Sequence, residues 1–186
     1  MPDAPGILAA IRLTPELGTH LRGLADALLV ADYPGTTLTR GERELIATAV
    51  SAANHCFYCM DSHGAFASEL LQRAGAADVA ALVDGVKCGT SGKLDAKVRA
   101  LVHIAWTVQR DGRALERADV QRALDVGATD ADTQLAVLIA AAFCMYNRMV
   151  EGFRAPTPPS DEAYRGRATQ IADHGYSDPK ITAVPR

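Results

Sequence analysis

Asn54-His55-Cys56-Phe57-Tyr58-Cys59-Met60-Asp61-Ser62-His63 is the stretch from which the rest of the chain is read. Two cysteines stand three apart, and a histidine follows the second by four. A helix turns by roughly 100° per residue, so Cys56, Cys59 and His63 fall within about 60° of one another. Two thiols and an imidazole then share one helix face.

Such a face supports dithiol chemistry. A CxxC pair brings two sulfurs together without closing a long loop. Near a helix N-terminus, unpaired amide groups and the local dipole favour a thiolate. The thiolate is the nucleophile, and a neighbouring base raises its share at neutral pH. His63 stands one turn beyond Cys59, in place to be that base. Phe57, Met60 and Phe66 are expected to keep the surroundings partly dry. Spacing alone leaves other readings open. Cys56 and Cys59 would also serve as small core residues, with His63 a buried histidine. Two cysteines and a histidine would also make three zinc ligands, but no second CxxC or close HxxxH completes the set. His20, His55, His103 and His174 are scattered. A thioredoxin-like motif is disfavoured, because no βαβ pattern surrounds the pair.

Outward from this stretch, almost every segment reads as helix. Thr39-Arg40-Gly41-Glu42 has the capping-box pattern. Leu45, Ile46, Ala49, Val50 and Ala53 follow as a core face, with Glu44, Thr48 and Ser51 on another face. A break at Asn54-His55 leads into the cysteine helix, which runs to about Arg73 and closes at Gly75. Its predicted stripe is Cys56, Cys59, Met60, His63, Ala67 and Leu70. Upstream, Thr14 reads as an N-cap with Pro15 at the first helical position, and Leu17, Leu21, Leu24 and Leu28 form a stripe. Downstream, helices are expected over residues 76–86, 94–110 and 117–126. Thr129-Asp130-Ala131-Asp132 resembles another capping box. It opens a final helix to about Phe153 that is apolar nearly all round at first, as a central helix or a subunit contact would be. Pro156, Pro158 and Pro159 stop it. No period-two strand pattern and no internal repeat is visible. The division is a helical domain over 1–155 and a C-terminal extension or surface arm over 156–186.

Bulk properties narrow the class. A chain of 186 residues suits one domain with a substantial core. Its net charge of -3 gives no basic footprint for nucleic acid. The start lacks a cationic segment of the signal-peptide type. The longest apolar run, residues 135–146, is short for a membrane span. A soluble cytoplasmic protein is the expectation. There, Cys56, Cys59, Cys88 and Cys144 would not form a structural disulfide framework. Cys144 reads as a buried small hydrophobe and Cys88 as a bystander in a loop.

Glu42-Arg43-Glu44-Leu45, Cys56-Phe57-Tyr58-Cys59 and His63 together resemble the alkylhydroperoxidase D and carboxymuconolactone decarboxylase superfamily. The match is nearest to its peroxidase-related subgroup. Ala142-Phe143-Cys144-Met145-Tyr146-Asn147-Arg148-Met149 resembles that subgroup's terminal helix, and the likeness covers residues 13–153. It implies an all-α, AhpD-like helical bundle that self-associates as a homotrimer or homohexamer. It also implies a peroxidase that reduces hydroperoxides through a redox-active Cys56–Cys59 disulfide and is restored by an external dithiol reductant. In that pattern Cys59 attacks the peroxide and Cys56 resolves. Glu44 and His63 draw off the proton. No metal, haem or flavin cofactor and no nucleic-acid or membrane partner is implied. Tyr58 stands where alkylhydroperoxidase D has a second histidine, which weakens transfer of the full proton relay. The alternatives are a thiol–disulfide exchange adaptor without peroxidase activity and a decarboxylase-like enzyme. On residue type alone Glu44 reads as a solvated surface charge. Arg43, Arg148 and Glu151 read as surface ion pairs, or as groups near the site or a subunit contact.

Overall fold

The capping residues place the helices. The computed structural model describes residues 4–158 and 162–177. Among them the chain forms α1 (Ile7–Leu13), α2 (Pro15–Leu29), α3 (Arg40–Ala53), α4 (Phe57–Arg73) and α5 (Val79–Lys87). It continues through α6 (Ala96–Asp111), α7 (Arg117–Asp125), α8 (Asp130–Gly152) and α9 (Glu162–His174), and no described residue is in a strand. The all-α expectation holds.

Both predicted capping boxes are present. At α3, Glu42 Oε2 accepts the Thr39 amide at 2.6 Å, while Thr39 Oγ1 accepts the Glu42 amide at 3.2 Å. At α8, Thr129 and Asp132 pair in the same reciprocal way. Each arrangement satisfies amides that a helix start leaves without partners. Asp132 does more. Its carboxylate also accepts from Thr36 Oγ1, Thr37 N and Oγ1, and Leu38 N, which ties α8 to the segment entering α3.

Helix α3 is the centre of the bundle. It packs against α4, α5, α6 and α8, and every residue from 41 to 51 except Glu42 is buried. The expected polar face is therefore not a solvent face: Glu44, Thr48 and Ser51 are each 0% exposed. Helix α8 also lies in the core, with Leu135, Ile139 and Phe143 buried. By length and composition it would pass as a membrane span, yet it packs against α3 and α6 and has Leu138 and Met145 exposed.

Several local expectations change. Thr14 does not cap α2; its hydroxyl donates to the Ala10 carbonyl and finishes α1, while Pro15 does open α2. Leu17 and Leu24 face outward, because Gly18, Leu21, Ala25, Leu28 and Leu29 form the buried side. On α4 the buried set is Cys59, Ser62, Gly64, Phe66, Ala67 and Leu71, so Met60 and Leu70 sit at the margin of the stripe. Arg43 is buried rather than surface-paired, donating to the Leu38 and Ala31 carbonyls.

The largest difference follows Pro156. The segment read as a surface arm carries α9, which packs along α4 and buries Tyr164, Ala168, Ile171 and Ala172. Those four positions have helical spacing, diluted by charged residues between them. Pro159 and residues 178–186 lie outside the described residues.

Candidate active site

His55 adopts φ +57°, turning the chain sharply between α3 and α4. Cys56 then occupies the N-cap of α4, with extended backbone, and Cys59 lies in the first turn. Both thiols are free and buried. The two are hydrogen-bonded to each other, and this contact sets their acidities in opposite directions. Cys56 is held below the ordinary thiol value, chiefly by the hydrogen bond from Cys59, against the opposing effect of burial. Cys59 is pushed well above it by that same hydrogen bond, then by burial and the charge on Cys56. The Asn147 amide bonds to Cys59 and acts in the lowering direction.

Asn147, itself buried, is the end of a partly buried amide chain. Gln109 Nε2 donates to Asn54 Oδ1 at 2.9 Å, and Asn54 Nδ2 donates to Asn147 Oδ1 at 2.8 Å. Asn147 Nδ2 in turn donates to Ser51 Oγ at 3.1 Å. Each link orients the next, so the Asn147 amide hydrogens are directed toward Ser51 and the thiol.

Glu44, a surface charge by residue type alone, is buried beside His63, the neighbour that the resemblance implied. Glu44 Oε2 lies 2.7 Å from His63 Nδ1. A carboxylate at Nδ1 selects the tautomer with the proton there, which leaves Nε2 as the proton acceptor. Phe66 and Phe143 meet the imidazole edge-on, at ring-centre distances of 5.2 and 4.6 Å, and fix its plane. Phe57, expected to help dry the site, is 61% exposed and takes no part. Tyr176 was not foreseen. Its hydroxyl donates to Glu44 Oε1 at 2.5 Å, and its ring stacks on His63 with centres 6.0 Å apart.

Cys59 and His63 open onto one pocket of about 60 Å³, which Tyr58, Phe143, Tyr146 and Tyr176 also line. Ile7, Leu8 and Ile11 of α1, Leu21, Arg22 and Ala25 of α2, and Arg167 of α9 complete its walls. Its volume is roughly that of two waters, enough for a peroxide group beside the sulfur. Cys56 lies behind Cys59 and is not among the lining residues. A larger cleft of about 680 Å³ on the other side of α4 holds neither cysteine. Tyr58 is packed beneath Gly6: a Cβ on Gly6 would fall 1.9 Å from its ring, and Gly6 has φ +54°. Burial pushes the Tyr58 hydroxyl up to about 12, so it stays protonated at neutral pH.

Of the remaining candidates, only Glu151 acts on the thiol pair. Cys88 is exposed at the end of α5, and Arg148 is exposed and donates to the Cys144 carbonyl. Cys144 is half-buried near Asn54 Nδ2, at 3.6 Å. Glu151 is exposed, but its charge reaches the thiol pair and opposes ionisation of both. Among the described residues no group of three or more His, Cys, Asp or Glu side chains is gathered to hold a metal.

Residues 15–86 match the family model described as the carboxymuconolactone decarboxylase family, a span that contains Glu44, Cys56, Cys59 and His63. The fold is similar to a crystal structure from Ralstonia eutropha JMP134 titled alkylhydroperoxidase AhpD core, an uncharacterized peroxidase-related protein. That likeness has 26% identity and a TM-score of 0.74, over 87% of this chain and 81% of the other. An uncharacterized peroxidase-related protein from Silicibacter sp. TM1040 is similar at 26% identity and a TM-score of 0.71, over 87% and 79%. No curated protein matches the chain.

Proposed function

We propose, from the family-model match over residues 15–86 and the likeness to peroxidase-related structures, that the chain is a member of the alkylhydroperoxidase D and carboxymuconolactone decarboxylase superfamily and a thiol peroxidase acting through Cys56 and Cys59. One observation carries the reading. The sulfur that reaches the pocket, Cys59, is hydrogen-bonded to a second thiol and shares that pocket with an imidazole already paired to a buried carboxylate.

The chemistry follows from these positions. The thiol pair first loses one proton, carried by a water in the pocket to His63 Nε2, with Glu44 stabilising the imidazolium. The remaining proton lies in the S–H···S contact. In the resting pair it stays on Cys59 and the charge on Cys56. Passing it to Cys56 moves the charge to Cys59, beside the Asn147 amide and facing the pocket. The Cys59 thiolate attacks the nearer peroxide oxygen and the O–O bond breaks. Cys59 becomes a sulfenic acid and the alkoxide leaves. His63 returns its proton to that alkoxide, giving an alcohol. Cys56 then displaces hydroxide from the sulfenic acid, forming the Cys56–Cys59 disulfide and water. An external dithiol restores both thiols by thiol–disulfide exchange and is itself oxidised to a disulfide.

The test is mass spectrometry after one equivalent of an organic hydroperoxide. The wild-type chain is expected to lose two hydrogens, mapped to Cys56 and Cys59, with alcohol released. The Cys56→Ser variant is expected to gain one oxygen on Cys59, trapped by a sulfenate-reactive probe. Peroxide left unconsumed by the reduced wild-type protein sinks the reading.

A further inference from the structure

The C-terminal strap, residues 162–177, is anchored at several points although it follows the helical bundle in sequence. Arg40 of α3 donates to the Ile171 and Ala172 carbonyls at 2.8 and 2.9 Å. Arg73 of α4 pairs with Asp173 at 2.6 Å. Asp26 of α2 accepts the Tyr176 amide at 2.6 Å and the Ser177 amide at 2.9 Å. Gly175 makes that turn possible. Its φ is +76°, and a Cβ there would lie 2.7 Å from Asp26 Oδ1. The strap brings Arg167 to the pocket wall, and the latch places the Tyr176 hydroxyl against the Glu44–His63 pair. The Tyr176 hydroxyl is 2.5 Å from Glu44 Oε1 and 3.4 Å from His63 Nδ1.

We propose that Tyr176 is a positioning residue for the Glu44–His63 pair, so that the site is complete only while the strap is latched. The phenol occupies one carboxylate oxygen and leaves the other aimed at His63 Nδ1. Its ring covers one side of the imidazole, while Phe66 and Phe143 meet it edge-on. Rotation of the carboxylate and tilt of the ring are thereby blocked. The phenol itself stays neutral: burial and the Glu44 charge push it well above its ordinary value, against the charges of Arg40 and Arg167. The other ionisable groups lining the same pocket are Cys59 and Tyr58 on α4, Arg22 on α2 and Tyr146 on α8, and burial raises both tyrosines so that they stay neutral. Tyr176 therefore moves no proton in the cycle; it holds the groups that do. This role rests on the proton-carrying function given above to Glu44 and His63.

The experiment is the pH dependence of Cys59 alkylation by iodoacetamide in a Cys56→Ser background, read by peptide mass so that exposed Cys88 does not interfere. Tyr176→Phe keeps the stacked ring and removes the hydroxyl. It is expected to slow alkylation at pH 7 about three- to ten-fold, the worth of one buried hydrogen bond. The midpoint is expected to move to higher pH by roughly 0.5–1 unit. Asp26→Ala leaves Tyr176 in place but removes the latch. It is expected to speed hydrogen exchange over residues 171–177 and to shift the alkylation profile in the same direction. The double variant is expected to exceed neither single one by much, since both act through one contact. A Tyr176→Phe profile superposed on that of the parent overturns the positioning role. An Asp26→Ala strap that exchanges faster while the profile stays fixed overturns the dependence on latching, as does a strap whose exchange does not change. Alkylation consumes no peroxide. A protein that shows these shifts yet leaves peroxide intact sinks the peroxidase reading and leaves this one standing.

Discussion

Cys56 and Cys59 behave as one unit because each sets the other's acidity. Cys56 lies below and Cys59 well above the ordinary thiol value, each first by their shared hydrogen bond. In a Cys88→Ser, Cys144→Ser background, thiolate absorbance on raising the pH is therefore expected to appear in two separated steps. The first belongs to the pair and falls below the usual thiol value of about 8.5. The second comes only in strongly alkaline solution. Two thiols ionising together would show that the contact is absent in solution. The roles within the pair are a separate matter, decided by access: only Cys59 lines the pocket. Cys59→Ser is expected to abolish peroxide consumption, whereas Cys56→Ser is expected to complete one sulfenate-forming event per chain. A sulfenate probe found on Cys56 in Cys59→Ser protein, with turnover kept, reverses the assignment. Glu44→Gln and His63→Gln are each expected to slow Cys59 alkylation near neutral pH, with a combined effect smaller than the sum.

Among the elements, α8 is attached at its N-terminal end chiefly through the Asp132 carboxylate, with one further bond from Thr129 Oγ1 to the Gly35 carbonyl. Burial pushes the Asp132 carboxyl up, but hydrogen bonds from Thr36, Thr129 and Thr37 outweigh it and hold the group well below the usual carboxylate range. Asp132→Ala leaves these donors without their acceptor and is expected to cost about 2–4 kcal/mol, read as a lower urea midpoint. The pH dependence has a definite sign. A carboxylate lowered by folding contributes stability above its unfolded value, about 3.9, and loses it as the pH falls through the folded value. The difference between wild type and Asp132→Asn is therefore expected to persist from pH 7 to about pH 4 and to shrink only in stronger acid. A difference already gone at pH 5 would show that the carboxylate network does not hold α8.

At the scale of the whole molecule, α8 presents Leu138 and Met145, 44% and 39% exposed, two turns apart on one side. Leu138 borders an apolar groove with Val120 and Val137. Self-association through this surface is the expected outcome, as a homotrimer or homohexamer, because helix-on-helix contact removes such side chains from water. Light scattering at micromolar concentration is expected to give more than the monomer mass, and Leu138→Lys to lower it. A monomeric wild-type chain overturns the expectation.

What the sequence by itself determined is local. Helix phase put Cys56, Cys59 and His63 on one side, and Thr39 with Glu42 and Thr129 with Asp132 marked two helix starts, because 3.6-residue periodicity and capping act over a few positions. The likeness carried by the glutamate, the cysteine pair and the histidine reached the superfamily and the all-α fold. The tertiary structure decided which faces are inside. Glu44 lies on a side of α3 that is polar by pattern, and it is buried because α4 and the strap cover it. Leu17 and Leu24 match a core stripe and face out, because α2 meets the bundle along Leu21, Ala25 and Leu28 instead. Tyr176 meets His63 across 113 positions, and Asn147 meets Ser51 across 96. Contacts of that range leave no periodic trace in one sequence, since they depend on how separate helices pack and not on how any one of them turns.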